Sequence, residues 1–245
     1  MTTAKVDILV PIYREHFDEE EEAAVKRTFK ILGARGISFL APDNLSLTYY
    51  KNTFASAKFR ITESQFFDSV RDYSRLLVSE RFYSEICHGD FVLIVQPDVY
   101  VFSDELDSWL QSPFDYVGAP WPDGIELNIS AGKFAEVGGK HLRVHVGNGG
   151  FSLRRTKKCA ALIREHAEVA AWFTKTGSNE DLFFAFMGML SKDFVIPNQM
   201  TAARFSWELK PEHYHQLLAG QLPMGVHAYL KYSPNFWREL TKKYE

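Results

Sequence analysis

The residues equipped for chemistry fall at strand ends and helix starts. Asp98 closes an apolar run in LIVQPDVYVF (93–102), two places after Gln96. Gly149-Gly150 interrupts HLRVHVGNGGFSLRR (141–155), Glu180-Asp181 opens an apolar helical segment, and His227 lies in GVHAY (225–229). A carboxylate at the end of a core strand needs a cation, a donor or water beside it, because burying it alone is costly. Carboxylate plus imidazole is an incomplete ligand set for a divalent ion such as Mn²⁺ or Mg²⁺, which diphosphate oxygens could complete. The glycine pair lets backbone approach a ligand closely or makes a bulge. The acidic pair supplies a base or simply favours the helix dipole. Taken singly, His227 reads equally as a structural histidine and Asp98 as a turn residue.

The elements that must position these groups alternate. VDILVPIY (6–13) reads as a first strand covered on both faces, ISFLAP (37–42) as a second and FVLIV (91–95) as the central strand. DEEEEAAVKRTFKILGARG, between VDILVPIY and ISFLAP, is a helix with its acids first and its bases late, ending at Gly33 or Gly36. The spacing in SQFFDSVRDYSRLLVSERFYSEIC (64–87) predicts one long helix. Further helices are expected at 103–110 with Ser103 as cap, at 157–171, from Asn179, and over PNFWRELTKKY. Further strands are expected at 115–121, 193–197, 202–206 and 225–229, with a glycine-rich, polar, mobile loop at 122–140. Such alternation argues for one α/β domain. A mostly parallel sheet is expected in its first half.

The 245 residues are 46% hydrophobic and 24% charged, with a net charge of -3. That balance gives no electrostatic reason to expect nucleic acid or an anionic membrane as partner. Two cysteines, Cys87 and Cys159, fit reduced thiols in a cytoplasmic protein. MTTAKVDILVPIYR lacks the long apolar run of a signal peptide, so no leader is expected, and no stretch reaches the ~18 apolar residues of a membrane span. A soluble protein is expected, at most peripherally associated with a membrane-bound acceptor.

In their order and company the motifs resemble the GT-A class of nucleotide-sugar glycosyltransferases. Within it they are most similar to a poorly characterised group of bacterial and viral glycosyltransferase-like domains, over nearly the whole chain. VPIYR (10–14) resembles the first nucleotide-binding strand and loop, which places Pro11 and Tyr13 at the donor. RDYSRLLVSERFY (71–83) resembles the helix whose arginine, here Arg75, faces the metal carboxylates or the diphosphate. LIVQPDVYVF occupies the D-x-D position, with Gln96 for the first acid and Asp98 as the retained metal ligand. HVGNGGFSLRR resembles the strand lining the sugars, which assigns Gly149 and Gly150 to the donor. NEDLFFAF (179–186) resembles the acidic motif of inverting members, making Asp181 the base and Glu180 an acceptor contact. GVHAYLKY (225–232) resembles the segment whose late histidine, His227, completes the metal site, with Lys231 as added positive charge.

The resemblance implies one Rossmann-like α/β domain with a mixed central sheet flanked by helices, residues 1–121 binding nucleotide and 122–245 binding acceptor. It implies transfer of a sugar, most simply from a UDP-sugar, to a glycan or lipid-linked acceptor, inverting and assisted by Mn²⁺ or Mg²⁺. Gln96 favours an alternative, a non-catalytic nucleotide-sugar-binding domain. A sugar-1-phosphate nucleotidyltransferase is a further alternative, disfavoured because IYREHFDEE has no glycine for a phosphate loop.

Overall fold

The computed structural model describes residues 4–129 and 136–244. In chain order the elements are β1 (Val6–Pro11), α1 (Glu19–Leu32), β2 (Ile37–Pro42), α2 (Thr48–Thr53), β3 (Lys58–Thr62), α3 (Val70–Leu77) and β4 (Phe91–Val95). Next come β5 (Tyr100–Val101), α4 (Leu106–Leu110), β6 (Tyr116–Ile129), β7 (Lys140–Arg155), α5 (Thr156–Glu165), α6 (Ala167–Thr176) and α7 (Glu180–Leu190). The chain closes with α8 (Gln199–Phe205), β8 (Ser206–Trp207), α9 (Pro211–Leu217), β9 (Gly225–Val226) and α10 (Pro234–Thr241).

The main sheet has the order β3-β2-β1-β4-β7-β6. Its first four strands are parallel, while β7 runs antiparallel to both β4 and β6. This is the expected mixed sheet. Successive residues of β1 and β4 feed opposite faces. Ile8, Val10, Phe91, Leu93 and Val95 enter one apolar cluster, and Leu9, Val92 and Ile94 enter the other. Burial on both faces is why these strands read as unbroken apolar runs. From β1 the chain builds outward through β2 and β3, then returns to lay β4 on the other side of β1. The switch of direction between β1 and β4 opens a crevice at their carboxyl ends, the usual ligand position in open α/β sheets. A second sheet, β5-β9-β8, stands beside it over a cluster that includes Trp207 and Trp237.

Several expected elements take another form. The helix over 64–87 is three pieces: a 3₁₀ turn, α3, and a π-helical turn over Phe82–Ile86. Ser69 caps α3, and Ser79 bridges the break after it by bonding Leu76 O and Phe82 N. The helix over 157–171 instead ends at Glu165 and restarts as α6 after His166. Ser103 bonds Glu105 rather than capping α4. Residues 193–197 are not a strand, although Val195 bonds both the side chain and the backbone of Asp115. Residues 202–205 belong to α8. The expected loop is shorter than 122–140, since β6 continues to Ile129, and residues 130–135 lie outside the described residues. Both cysteines are buried and free. Among the described residues no helix is long and apolar enough to cross a membrane.

Candidate functional site

The sheet registers explain which side chains meet. Val95 of β4 faces Phe151 of β7, so Gln96 comes opposite Gly150, and Gln96 N donates to Gly150 O at 2.9 Å. In the second sheet Trp207 of β8 pairs in parallel with Val226 of β9. The next residue of each strand, Glu208 and His227, therefore leaves the sheet side by side. Tyr100 pairs with Val226 from the other side, which brings the 96–98 turn to the same imidazole.

The His227 ring is the hub. Its Nε2 lies 2.9 Å from Gln96 Oε1 and 3.4 Å from Asp98 Oδ1, and its Nδ1 lies 3.3 Å from Glu208 Oε1. Glu208 is buried and also accepts from Asn148 Nδ2, while Asn148 Oδ1 accepts from Gly150 N at 3.2 Å. Burial alone would lower the imidazole, but the Asp98 and Glu208 carboxylates override it and push His227 up to about 9. Burial alone would likewise raise the Asp98 carboxyl. The His227 contact, with a smaller contribution from Lys231, holds it below its ordinary value.

Gly150 has a steric reason. A Cβ there would lie 2.2 Å from His227 Nε2, so only glycine lets the ring cross the strand. Gly150→Ala is expected to displace the imidazole from Gln96 and Asp98 while the chain stays folded, and to weaken by about tenfold or more any Mn²⁺ binding that uses this ring. Calorimetric titration with Mn²⁺, beside a circular dichroism melt, checks this. Unchanged Mn²⁺ affinity would show that the ring position does not matter. Gly149 makes room differently: a Cβ there would lie 2.3 Å from Glu180 Oε1.

Beside the hub, at the carboxyl ends of β1 and β4, lies a cavity of about 190 Å³. Pro11, Tyr13, Tyr73, Gln96 and Asp98 contribute to its wall. Tyr13 is 52% exposed, and the Tyr73 hydroxyl is buried without a hydrogen-bond partner. The structure thus brings Pro11, Tyr13, Gln96 and Asp98 around one cavity, with His227 against Gln96 and Asp98 and Gly150 bonded to Gln96. Of the two expected cations, one is placed otherwise. Arg75, expected to face Asp98 or a diphosphate, pairs with Asp72 three residues earlier on its own helix, Nη1 to Oδ1 at 2.9 Å, with its side chain 39% exposed. Lys231 is exposed, its Nζ 5.1 Å from the Tyr232 ring centroid.

The acidic pair at the start of α7 is divided. Glu180, expected as an acceptor contact, is instead buried against Arg154, whose side chain is fully inaccessible; Nη2 to Oε1 is 2.9 Å. Ser74 Oγ donates to the other Glu180 oxygen at 3.1 Å. Arg154 also donates to Ser152 Oγ and Tyr83 Oη, and it lies over the Tyr116 and Phe184 rings. Asp181 is only partly buried and accepts from the adjacent Leu182 N at 2.7 Å. Burial first, then the neighbouring Glu180 charge, pushes its carboxyl up to about 8.

The fit to a divalent cation follows from the donors. Two oxygens and one imidazole nitrogen converge at the mouth of the cavity, and a carboxylate backs the other ring nitrogen, as is common for metal-bound histidine. Among the described residues, however, no group of three or more His, Cys, Asp or Glu side chains is arranged to hold a metal ion. The set fits as a partial shell in which Gln96 replaces an acid and a ligand must supply further oxygens. Because His227 must lose its Nε2 proton to coordinate, such a site tightens as pH rises towards 9.

Comparison with known proteins bears on the fold. A family model described as "Protein of unknown function (DUF5672)" matches residues 56–227. A search of curated proteins finds no match. Among solved structures the chain is similar to the galactosyltransferase LgtC in complex with donor and acceptor sugar analogs, at 16% identity and TM-score 0.55, over 90% of this chain and 86% of that one. It is also similar to mouse xyloside xylosyltransferase 1, at 9% identity and TM-score 0.53, over 91% and 97% of the two chains. A third is the Mn/GDP form of core-mannan synthase A from Aspergillus fumigatus, at 9% identity and TM-score 0.52, over 76% and 70%. The fold is the GT-A glycosyltransferase fold, and the chain belongs to the DUF5672 family.

Proposed function

We propose that this DUF5672 chain is a metal-assisted nucleotide-sugar glycosyltransferase that inverts the anomeric centre. Its donor is a nucleoside-diphosphate sugar, most simply a UDP-sugar, and its acceptor a glycan or lipid-linked glycan. The observation that carries the proposal is the convergence of Gln96, Asp98 and His227 at the crevice between β1 and β4. The GT-A fold, and the donor, acceptor and Mn/GDP complexes of proteins that share it, support the reading.

In this reading the nucleotide lies in the 1–121 half, in the cavity walled by Pro11 and Tyr13, with Tyr13 against the base or ribose. Asp98 and His227 would hold the cation, and Gln96 would stand beside it or bond the ribose. A bound Mn²⁺ or Mg²⁺ supplies positive charge where the leaving diphosphate becomes more negative. Glu208 and Asn148 orient His227, and Lys231 adds charge from the rim. The acceptor oxygen attacks the anomeric carbon while the bond to the β-phosphate oxygen breaks and its electron pair leaves with the nucleoside diphosphate. Asp181 takes the acceptor hydroxyl proton. Its carboxyl, raised to about 8, is matched to that task near neutral pH.

The test is thermal stabilisation by UDP-, GDP- and dTDP-sugars with Mn²⁺ and with EDTA. One donor at about 100 times its Kd should add roughly 2.7 kcal/mol, about 5–10 °C for a domain of this size. Asp98→Asn and His227→Ala should each lose the Mn²⁺-dependent part of the shift. Equal stabilisation with EDTA in the wild type and both variants would refute the metal assignment. Specific binding without turnover would favour the non-catalytic nucleotide-sugar-binding domain, the reading that Gln96 supports.

A further inference from the structure

A second, larger hollow lies away from the nucleotide crevice, between β7 and the C-terminal half of α7. Its volume is about 430 Å³, within the range of sites for drug-sized ligands, roughly a disaccharide. His145 and Val146 of β7, Ala185, Gly188 and Met189 of α7, and the segment through Asn198 and Gln199 contribute to its walls.

Both elements lead from this groove to the reacting groups. At 100° per residue, Ala185 is turned 40° from Asp181 and Gly188 about 20° the other way, so the three share one stripe of α7. Along the axis the two groove residues lie about 6 and 10 Å from Asp181. On β7, Val146 precedes Gly150 by four residues, about 13 Å of strand. The groove therefore begins roughly one helical turn from the carboxylate assigned as base. Small residues at 185 and 188 keep that stripe low.

The lining has the character of a neutral sugar site. Arg143, the one cationic side chain in the groove wall, is already neutralised by Glu126. Met189, Val195 and Ile196 offer apolar surface of the kind that covers the C–H face of a pyranose. Gln199 commits its amide nitrogen to Tyr214 Oη and Pro122 O, which leaves Oε1 as the atom to accept from a hydroxyl. Above all, the buried Nδ1 of His145 has no hydrogen-bond partner. A buried polar atom in that state costs free energy until a ligand or water bonds it.

We infer that the groove between β7 and α7 is the acceptor subsite and takes the neutral sugar end of a glycan, His145 bonding one of its hydroxyls. The inference rests on the proposed glycosyl transfer but is tested apart from it. Gly188 and Ala185 are poor targets, because a Cβ at Gly188 would strike Ile196 and Phe194 at 2.7 Å and Ala185 is buried. Met189 is 56% exposed and can be enlarged without repacking the core.

The experiment is saturation-transfer NMR of the full chain with a panel of neutral methyl glycosides, for wild type, Met189→Trp and His145→Ala. The same proteins are melted with and without nucleotide sugar and Mn²⁺. At least one glycoside should bind wild type and weaken tenfold or more in both variants, while the donor-induced melting shift persists. His145→Asn, which retains a side-chain hydrogen-bonding group near that position, should recover part of the loss. No glycoside binding to wild type, or binding that the variants leave unchanged, overturns the subsite. Loss of the donor shift together with glycoside binding also overturns it, since the substitutions would then act through the fold. Glycoside binding at the groove with no donor shift in any protein would refute the proposed transferase and leave the sugar subsite standing.

Discussion

Asp181→Asn is expected to lower sugar transfer by roughly 10²–10⁴-fold, the usual worth of a general base, and yet to raise the melting temperature at pH 8. Burial, and then the Glu180 charge, lift the Asp181 carboxyl to about 8 in the folded chain, against about 3.9 unfolded. Between those values the folded state keeps a proton that the unfolded state releases. The stability from this group is therefore complete below about pH 4 and is lost as pH rises through 8. Asparagine has the shape of the neutral acid and does not titrate. Wild type and variant should melt together near pH 4 and separate as pH rises. At pH 8 the variant should lead by an amount on the order of 1–3 kcal/mol once solvent screening of this partly exposed group is allowed for, about 2–12 °C. Activity runs the other way, because the base must be ionised: kcat/KM for wild type should climb about tenfold per pH unit below 8 and level off above it. A melting gap independent of pH, or near wild-type turnover in the variant, would remove Asp181 from the base role.

The strands that build this site were readable because they are buried on both faces. ISFLAP coincides with β2 and FVLIV with β4, each an unbroken apolar run. β3 is hard to read because KFRIT is an edge strand, largely open to solvent, whose two alternating apolar residues, Phe59 and Ile61, are too few to set a period. Asp98 stands out in sequence because a charge follows a core strand. Glu208 does not, since SWELK reads as an ordinary amphipathic stretch. Only the pairing of two-residue strands, β8 and β9, brings it to His227, and strands that short leave no periodicity to detect. Asn148 was hidden inside a glycine motif whose obvious reading was backbone freedom.

Arg154 shows a different limit. It is followed by another arginine, and strand parity alone sends Arg154 into the core with Glu180 while Arg155 turns to Asp115. Parity was available from the sequence, but the buried partner 26 residues later was not. Arg75 lay on the right helix for a diphosphate contact, yet a carboxylate one turn away at Asp72 captures it.

The Arg154–Glu180 pair carries the second large expected effect. Arg154→Met should destabilise the chain by about 3–5 kcal/mol, because it leaves the Glu180 carboxylate buried without its cation. That corresponds to a fall of roughly 6–20 °C in melting temperature. Glu180→Gln should cost a similar amount for the opposite reason, stranding a fully buried guanidinium. The Arg154→Met/Glu180→Gln double variant holds no unpaired buried charge, so its loss should be smaller than the sum of the two by at least about 1 kcal/mol. Glu180→Gln has a second readout that a purely structural role would not move. Removing the charge beside Asp181 should shift the midpoint of the pH–rate profile below 8, since that charge is part of what raises it. Denaturant melts of the cycle and a pH–rate profile of Glu180→Gln check both statements. If Glu180→Gln instead melts like wild type, keeps its pH midpoint and raises only the acceptor KM, Glu180 reaches the acceptor in solution, as the sequence motif implies, and the pair with Arg154 is not what holds it.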